Sequence, residues 1–210
     1  MPDLNGTDAA ALSARILDAN ESQETFRAVL DALSQPGRLF TLPAGPSARV
    51  TPAIIPVLAL AGHGTSFAVI GGEPGEESLI AHATNGHRAA PTDASFLVIL
   101  DDVDEALVRT FRTGTSVRPD FAAQVCVKVP GVLHEADAPT AHFSLSGPGV
   151  PTERHVGMEG AGDWSLQNLF TGRTVHPCGI DFILVDNAGN VLGVPRTSHV
   201  RLAAARTGRN

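Results

Sequence analysis

The sequence has few cysteines and no excess of basic residues. Its two cysteines, Cys126 and Cys178, fit neither a disulfide framework nor a C-x-x-C metal motif, and no pair of histidines has the H-E-x-x-H spacing. The formal net charge is -7, which excludes a broad basic surface for nucleic acid or an anionic membrane. We therefore predict no metal and no nucleic-acid partner. A phosphorylated ligand would have to be held by a few well-placed arginines.

No apolar run is long enough to cross a bilayer. The longest, residues 53–61, is interrupted by Pro56. At the N-terminus, Asp3 and Asp8 precede the first arginine, Arg15, and no apolar segment of a secretory signal follows. We expect a cytoplasmic protein without a membrane partner.

Two common catalytic motifs are also missing. The chain has no G-x-x-x-x-G-K-[ST] phosphate loop and no G-x-S-x-G nucleophile elbow. Residues 96–102 do resemble the apolar strand and terminal acid that hold magnesium in P-loop nucleotide hydrolases. Because the phosphate loop is absent, we favour the alternative that Asp102 caps the following helix, with Glu105 completing a capping box.

The composition that remains predicts one globular domain. A chain of 210 residues with 43% hydrophobic content can bury one sizeable core. Residues 1–19 form a polar, alanine-rich arm, and residues 20–210 form the domain. Alternating patterns predict an α/β fold, with α+β as the alternative, in which helices flank a central mixed sheet. Predicted strands are 66–70, 95–100, 122–129 and 142–145, predicted helices are 52–61, 76–85, 104–112 and 163–171, and predicted loops include 130–139 and 148–162.

The first clear helix is predicted to begin at Asn20. Asn20 and Gln23 have the spacing of a capping box, and Pro36 with Gly37 ends the segment. An apolar stripe along this helix predicts the face that packs on the rest of the domain. It consists of Phe26, Val29, Leu30 and Leu33.

The most informative segment is 179–200, with the sequence GIDFILVDNAGNVLGVPRTSHV. Its two apolar runs, 182–185 and 191–194, flank a turn cluster and predict a buried hairpin. One register places Asp181 opposite Arg196, and a register slipped by one places it opposite Pro195 with Arg196 diagonal. Both registers predict an ion pair, which either fixes the hairpin or forms an anion or partner site.

Further polar residues suggest where a ligand or partner would bind. Thr197, Ser198 and His199 follow the ion pair directly. Gly147 and Gly149 form a glycine turn at the end of a strand, where exposed backbone N–H groups could hold an anion. The alternative for these glycines is a tight turn that requires them structurally.

Three segments resemble the PhnH family, the H subunit of the bacterial carbon-phosphorus lyase core complex. Segment 194–200, Val-Pro-Arg-Thr-Ser-His-Val, resembles the family's closing signature, together with 179–181. Segment 26–38, which ends in Ser-Gln-Pro-Gly-Arg, resembles the opening helix and its stop. Segment 145–150, Leu-Ser-Gly-Pro-Gly-Val, resembles the family's glycine-rich strand end.

The resemblance implies a fold similar to that of the pyridoxal-phosphate-dependent transferases. Such an enzyme needs a lysine for its Schiff base, and Lys128 is the only lysine in the chain. Lys128 lies within the predicted strand 122–129, where the alternation makes it a solvent-facing residue. We therefore predict this fold without the cofactor.

The resemblance also implies a function. In that family the G, H and L proteins act with the nucleoside-processing I subunit to displace adenine from ATP with a phosphonate. The product is ribose 1-phosphonate 5-triphosphate, whose carbon-phosphorus bond the J subunit later cleaves. This chain would be a non-catalytic or assisting subunit that can contact phosphonate or ATP. In isolation it would form a homodimer. The alternative is a stand-alone enzyme that uses Asp181, Arg196 and His199 on a phosphorylated small molecule.

Overall fold

A computed structural model of the chain describes residues 17–44, 49–73, 75–161, 166–170 and 176–203. Most of the arm expected over 1–19 therefore lies outside the described residues. The helices are α1 (Ala19–Ser34), α2 (Ile55–Leu60), α3 (Glu76–Thr84), α4 (Glu105–Val108) and α5 (Leu166–Phe170), with 3-10 turns at Pro52–Ile54 and Pro119–Phe121. The strands are β1 (Phe40–Thr41), β2 (Ser66–Ile70), β3 (His87–Arg88), β4 (Phe96–Ile99), β5 (Gln124–Val129), β6 (Val132–Glu135), β7 (Phe143–Ser146), β8 (Arg154–Glu159), β9 (Asp181–Asp186), β10 (Asn190–Val194) and β11 (His199–Leu202).

A mixed seven-stranded sheet forms the centre of the fold, as predicted. Its strand order is β1-β10-β9-β5-β4-β2-β3. The five strands from β9 to β3 run parallel, and β10 and β1 add an antiparallel edge. Because successive side chains point to opposite faces, β5 contributes Val125 and Val127 to one apolar cluster and Cys126 to the other.

Helices α1, α2 and α3 cover one face of this sheet, and a second sheet covers the other together with α4 and α5. The second sheet is antiparallel, in the order β11-β7-β8-β6. It was not predicted, and the expectation of a single sheet is wrong in this respect. Strands β6 and β8 lie inside the predicted loops 130–139 and 148–162. Each turns an apolar face inward, through residues such as Leu133 and Met158, and a polar face outward, so neither shows an apolar run.

Helix α1 differs from its prediction in both its cap and its buried face. Its N-cap is Asp18, which forms a capping box with Glu21, so the predicted box at Asn20 and Gln23 is wrong. The buried side is made of small residues, Thr25, Ala28, Val29 and Ala32, whereas Phe26 and Leu30 are about half exposed.

Gly193 explains why small residues face inward on α1. A Cβ atom at this glycine of β10 would lie 2.5 Å from the carbonyl carbon and oxygen of Ala32. The helix backbone therefore rests directly on the strand, a separation that large side chains do not allow.

The remaining helices agree with prediction in place but not always in length. The segments 52–61 and 76–85 are helical over most of their length. Helix α4 is only one turn long, and its cap is Asp104, whose carboxylate accepts from the backbone N–H of Leu107 at 2.7 Å. The predicted cap at Asp102 is therefore wrong. Among the described residues, no helix has the length and apolar character needed to cross a membrane.

Candidate functional site

Asp181 and Arg196 form the ion pair expected at the end of the terminal hairpin. Val194 pairs with Phe182, so the register is the slipped one, which places Asp181 opposite Pro195. Nη2 of Arg196 lies 2.6 Å from Oδ2 of Asp181, and Nε lies 3.2 Å from both carboxylate oxygens. The backbone N–H of Arg196 also donates to Oδ1 at 2.7 Å. The side chains are 16% and 26% exposed, for Arg196 and Asp181 respectively, so the pair is only partly shielded from water.

The third guanidinium nitrogen of Arg196 is also occupied. Its Nη1 donates to the carbonyl oxygen of Pro119 at 2.7 Å. This bond fixes the 3-10 turn Pro119–Phe121, on which the Arg118 guanidinium stacks 3.8 Å from the centre of the Phe121 ring. Because every nitrogen of Arg196 has a protein partner, the arrangement suits a structural clamp better than an anion site.

The polar residues after Arg196 separate into a buried turn and an exposed strand. The backbone N–H of Ser198 donates to the carbonyl oxygen of Pro195 at 2.9 Å, which closes a turn between the two sheets. Ser198 is 5% exposed, and its hydroxyl has no hydrogen-bond partner among the described residues. His199 begins β11 opposite Ser146 and is exposed, whereas Val200 packs against the apolar cluster.

The two glycines of the predicted anion turn make close backbone contacts. Gly147 has φ of 116° and Gly149 has φ of 81°, a region that favours glycine. A Cβ atom on Gly147 would lie 3.1 Å from the carbonyl oxygen of Thr197, and one on Gly149 would lie 2.7 Å from that of Ser34. Both positions therefore require glycine for packing.

The three segments that carry the family resemblance meet around this turn. Gly149 contacts the end of α1 at Ser34 and Pro36, and Gly147 contacts the turn at Thr197 and Ser198. Arg154 of β8 adds a third link, because its Nη1 lies 3.2 Å from the carbonyl oxygen of Gln35 and 3.3 Å from that of Pro36. Segments 34–38, 145–150 and 195–200 thus form one joint between α1 and both sheets.

Sequence reasoning missed the acid that connects the two sheets. Asp186, assigned only to a turn, is 1% exposed. Its carboxylate accepts from the backbone N–H groups of Leu133, Ala188 and Asn190 and from the side-chain amide of Asn190, at 2.8 to 2.9 Å. The contact with Leu133 spans 53 residues of sequence, so only the folded chain reveals it.

Lys128 and Cys126 lie two residues apart on β5 but in different surroundings. Lys128 is partly buried and lines a cavity of about 510 Å³ with Asp101 and Asp102, after the carboxyl ends of β4 and β5. Burial raises the pKa of the Cys126 thiol to about 12, which keeps it protonated and unsuited to nucleophilic attack. No group of three or more potential metal ligands occurs in the ranges that the structure describes.

Comparison with known proteins identifies the same family that the three segments of the joint resemble. Residues 16–201 match the family described as bacterial phosphonate metabolism protein (PhnH). The chain is also 28% identical over 213 residues to a Stutzerimonas stutzeri protein named "Putative C-P lyase subunit protein HtxG", and the match covers 96% of this chain and 99% of that protein. The matched region contains both sheets and all three segments of the joint. The chain therefore belongs to the PhnH family of bacterial phosphonate metabolism proteins.

Proposed function

We propose that this chain is a subunit of the carbon-phosphorus lyase core complex in phosphonate catabolism. The observation that carries the proposal is the family match over residues 16–201, and the relative named as a C-P lyase subunit supports it over nearly its whole length. The family membership supports a role in phosphonate metabolism. The specific step is the coupling of a phosphonate to ATP, with loss of adenine, to give ribose 1-phosphonate 5-triphosphate.

The chain is proposed to assist this reaction in the cytoplasm. Its partners are the G, I and J subunits, with L, and in their absence the chain forms a homodimer. Residues 20–210 act as one domain, similar to the pyridoxal-phosphate-dependent transferase fold but without the cofactor. Lys128, the one lysine of the chain, is partly buried and shares a cavity with Asp101 and Asp102.

Different roles are proposed for the two parts of the terminal segment. Asp181 and Arg196 hold the hairpin and the turn at Pro119, and Gly147 and Gly149 hold the joint. Thr197 and His199 offer polar groups to a ligand or to a partner subunit, because they lie where β11 begins and His199 is exposed. The buried Ser198 hydroxyl supports the turn between the sheets.

A stand-alone enzyme that uses Asp181, Arg196 and His199 is less well supported. The carboxylate of Asp181 already accepts four contacts from Arg196, and each guanidinium nitrogen is occupied. A general base and an anion-binding arginine both need a free position facing substrate. The geometry therefore favours the subunit over the separate enzyme.

Reconstitution tests this function directly. The G, I and L proteins are incubated with ATP and methylphosphonate, with and without this chain, and adenine release is measured. We expect release only when the chain is present and no release from the chain alone. Release from the chain alone would favour the stand-alone enzyme, and full release without it would refute the subunit role. In the same assay, His199→Ala should reduce release, whereas His87→Ala, at an exposed position of β3, serves as control.

A further inference from the structure

Most of the arginines that the structure describes have a carboxylate partner, but two that lie close together do not. Six of the ten arginines among the described residues form ion pairs. Arg38 and Arg154 form none within the described ranges. Both donate to the same residue, since Nη1 of Arg38 lies 2.9 Å from the Gln35 side-chain oxygen and Nη1 of Arg154 lies 3.2 Å from its carbonyl oxygen. Two positive charges are therefore brought together, and neither forms an ion pair with a described carboxylate.

The two arginines line a cavity of about 380 Å³ between the end of α1 and the second sheet. The other lining residues are Gly37, Glu135, Ala136, Glu153 and His155. Gly37 keeps this space open on one side, because it has φ of 81° and a Cβ atom there would lie 2.9 Å from Cβ of Arg154. The cavity thus forms beside the joint, where the chain turns after α1.

Both guanidinium groups are held in place before any ligand arrives. Arg154 is fixed by the carbonyl oxygens of Gln35 and Pro36, and Arg38 lies over the Phe40 ring, 5.5 Å from its centre. These contacts use only Nη1 of each arginine as donor. Among the described residues, Nε and Nη2 of both have no hydrogen-bond acceptor, and this pair of donors matches two oxygens of a phosphonate or phosphate group.

The two glutamates of the cavity differ in their availability. Glu153 is directed to other partners, with its Oε1 2.6 Å from the Ser144 hydroxyl and 3.3 Å from Nη1 of Arg201. The Ser144 hydrogen bond lowers the pKa of Glu153, so this carboxylate stays ionised and bound to those partners. Glu135 is exposed and has no ion-pair partner in the described ranges. Its negative charge would repel the additional charges of an extended polyanion, so the cavity favours a ligand with a single oxyanion head.

We propose that the cavity between Arg38 and Arg154 binds the tetrahedral oxyanion of a small ligand, a phosphonate or a phosphate group. The oxyanion chemistry rests on the two arginines. The choice of a phosphonate as its source rests on the proposed function. The site is distinct from the Asp181 and Arg196 pair, in which every guanidinium nitrogen already donates to a protein oxygen.

Calorimetric titration of the purified chain tests the site, with methylphosphonate and ATP as separate probes. Arg38 is exposed and its loss should not disturb the fold, so Arg38→Gln is the main variant. Arg27→Gln is the matched control, because Arg27 is also exposed, forms no ion pair among the described residues and lies outside the cavity. We expect methylphosphonate to bind, Arg38→Gln to weaken binding about tenfold or more, and Arg27→Gln to change nothing.

The outcomes separate the site from the function. Binding of ATP alone, weakened by Arg38→Gln, would retain the oxyanion site and identify a nucleotide phosphate as its source. No binding of either probe up to about 10 mM, or equal binding by both variants, would overturn the site.

Adenine release in the reconstituted reaction is measured on the same preparations. Normal adenine release without binding of either probe would refute the site but retain the proposed function. Binding of a probe, with adenine release that does not depend on this chain, would refute the proposed function but retain the site. Arg154→Gln is a second variant, with its circular dichroism spectrum as a check of folding.

Discussion

Arg196 gives both its backbone N–H and its guanidinium to a single carboxylate, that of Asp181. The same guanidinium reaches Pro119, so one side chain connects the hairpin to a turn 77 residues earlier in the chain. Fully buried pairs cost about 3–5 kcal/mol when one partner is removed, and exposed pairs contribute under about 1 kcal/mol. The partial exposure of this pair places it between these limits.

Arg196→Ala should therefore lower the free energy of unfolding by roughly 1–3 kcal/mol. The loss has two parts, because it removes the partner of a shielded carboxylate and the bond to Pro119. Urea denaturation measures it. Arg109→Ala is the control, since the Arg109 pair with Glu105 is well exposed, and its midpoint should not change. Equal midpoints for the two variants would show that the pair is not structural.

Asp186→Ala should be more damaging than Arg196→Ala. It leaves the buried backbone N–H of Leu133 without its acceptor, at a cost of about 1–3 kcal/mol, and also removes the acceptor of the partly buried N–H groups of Ala188 and Asn190. We expect a loss of about 3 kcal/mol or more in the same measurement. Asp186→Asn keeps one acceptor oxygen and should lose less. A variant Asp186→Ala that unfolds like the wild type would contradict the assigned link between the sheets.

Gly193→Ala should disrupt the contact between α1 and β10. The added methyl group would meet the backbone of Ala32, which cannot move without displacing the helix, and overpacking of this kind costs about 1–3 kcal/mol or more. Gly62→Ala is the control, since no atom lies within 4 Å of the added group. Thermal unfolding of both proteins gives the comparison, and an unchanged melting temperature for Gly193→Ala counts against the packing described.

The two cysteines should differ in reactivity. With a pKa of about 12 and full burial, Cys126 should resist a thiol reagent at pH 8 in the folded protein, whereas the partly exposed Cys178 should react. Counting labelled thiols before and after denaturation should give one and then two. The raised pKa of Cys126 also determines how stability depends on pH. Above pH 9 this thiol loses its proton in the unfolded chain but keeps it in the folded chain, so the free energy of unfolding falls between pH 9 and about 12. Labelling of both thiols in the native state is incompatible with this arrangement.

The proposed homodimer should depend on α1. Phe26 and Leu30 are 48% and 53% exposed and lie one turn apart, so they form one apolar ridge on the helix. Leu30→Glu should convert the isolated chain to a monomer in light scattering at micromolar concentration. Val132→Glu introduces the same charge at an exposed apolar residue of the second sheet and should remain dimeric. Dissociation by Val132→Glu alone would move the interface to that sheet.

Sequence patterns were sufficient where apolar residues run continuously along a segment. The terminal hairpin has continuous apolar runs on both strands, and this made its two strands and its ion pair predictable. Strand β8 has no such run, because Val156 and Met158 face the apolar cluster while His155 and Gly157 lie on the opposite face, where the His134 ring covers Gly157. A short alternation beside glycine and proline resembles a loop, and the second sheet was missed for that reason.

The other failures depend on distant parts of the chain. The ridge of Phe26 and Leu30 was expected inside because apolar residues at this spacing usually pack inward. The close contact at Gly193 requires small residues on the inward side of α1 instead, and no residue near α1 in the sequence indicates this contact. The oxyanion cavity has the same origin: Arg38 and Arg154 are more than a hundred residues apart, and only the folded joint brings both to Gln35.

The antiparallel edge of the central sheet has a consequence for the order in which the chain can fold during synthesis. Among the described strands, β1 pairs only with β10, through contacts such as that of Phe40 with Val191. Strand β1 therefore cannot pair until β10 has been synthesised, and α1 waits with it, because its small-residue face fits against the same late strand. Until β10 emerges, the nascent chain exposes this surface to solvent and to chaperones, so the antiparallel edge is expected to form after the parallel strands.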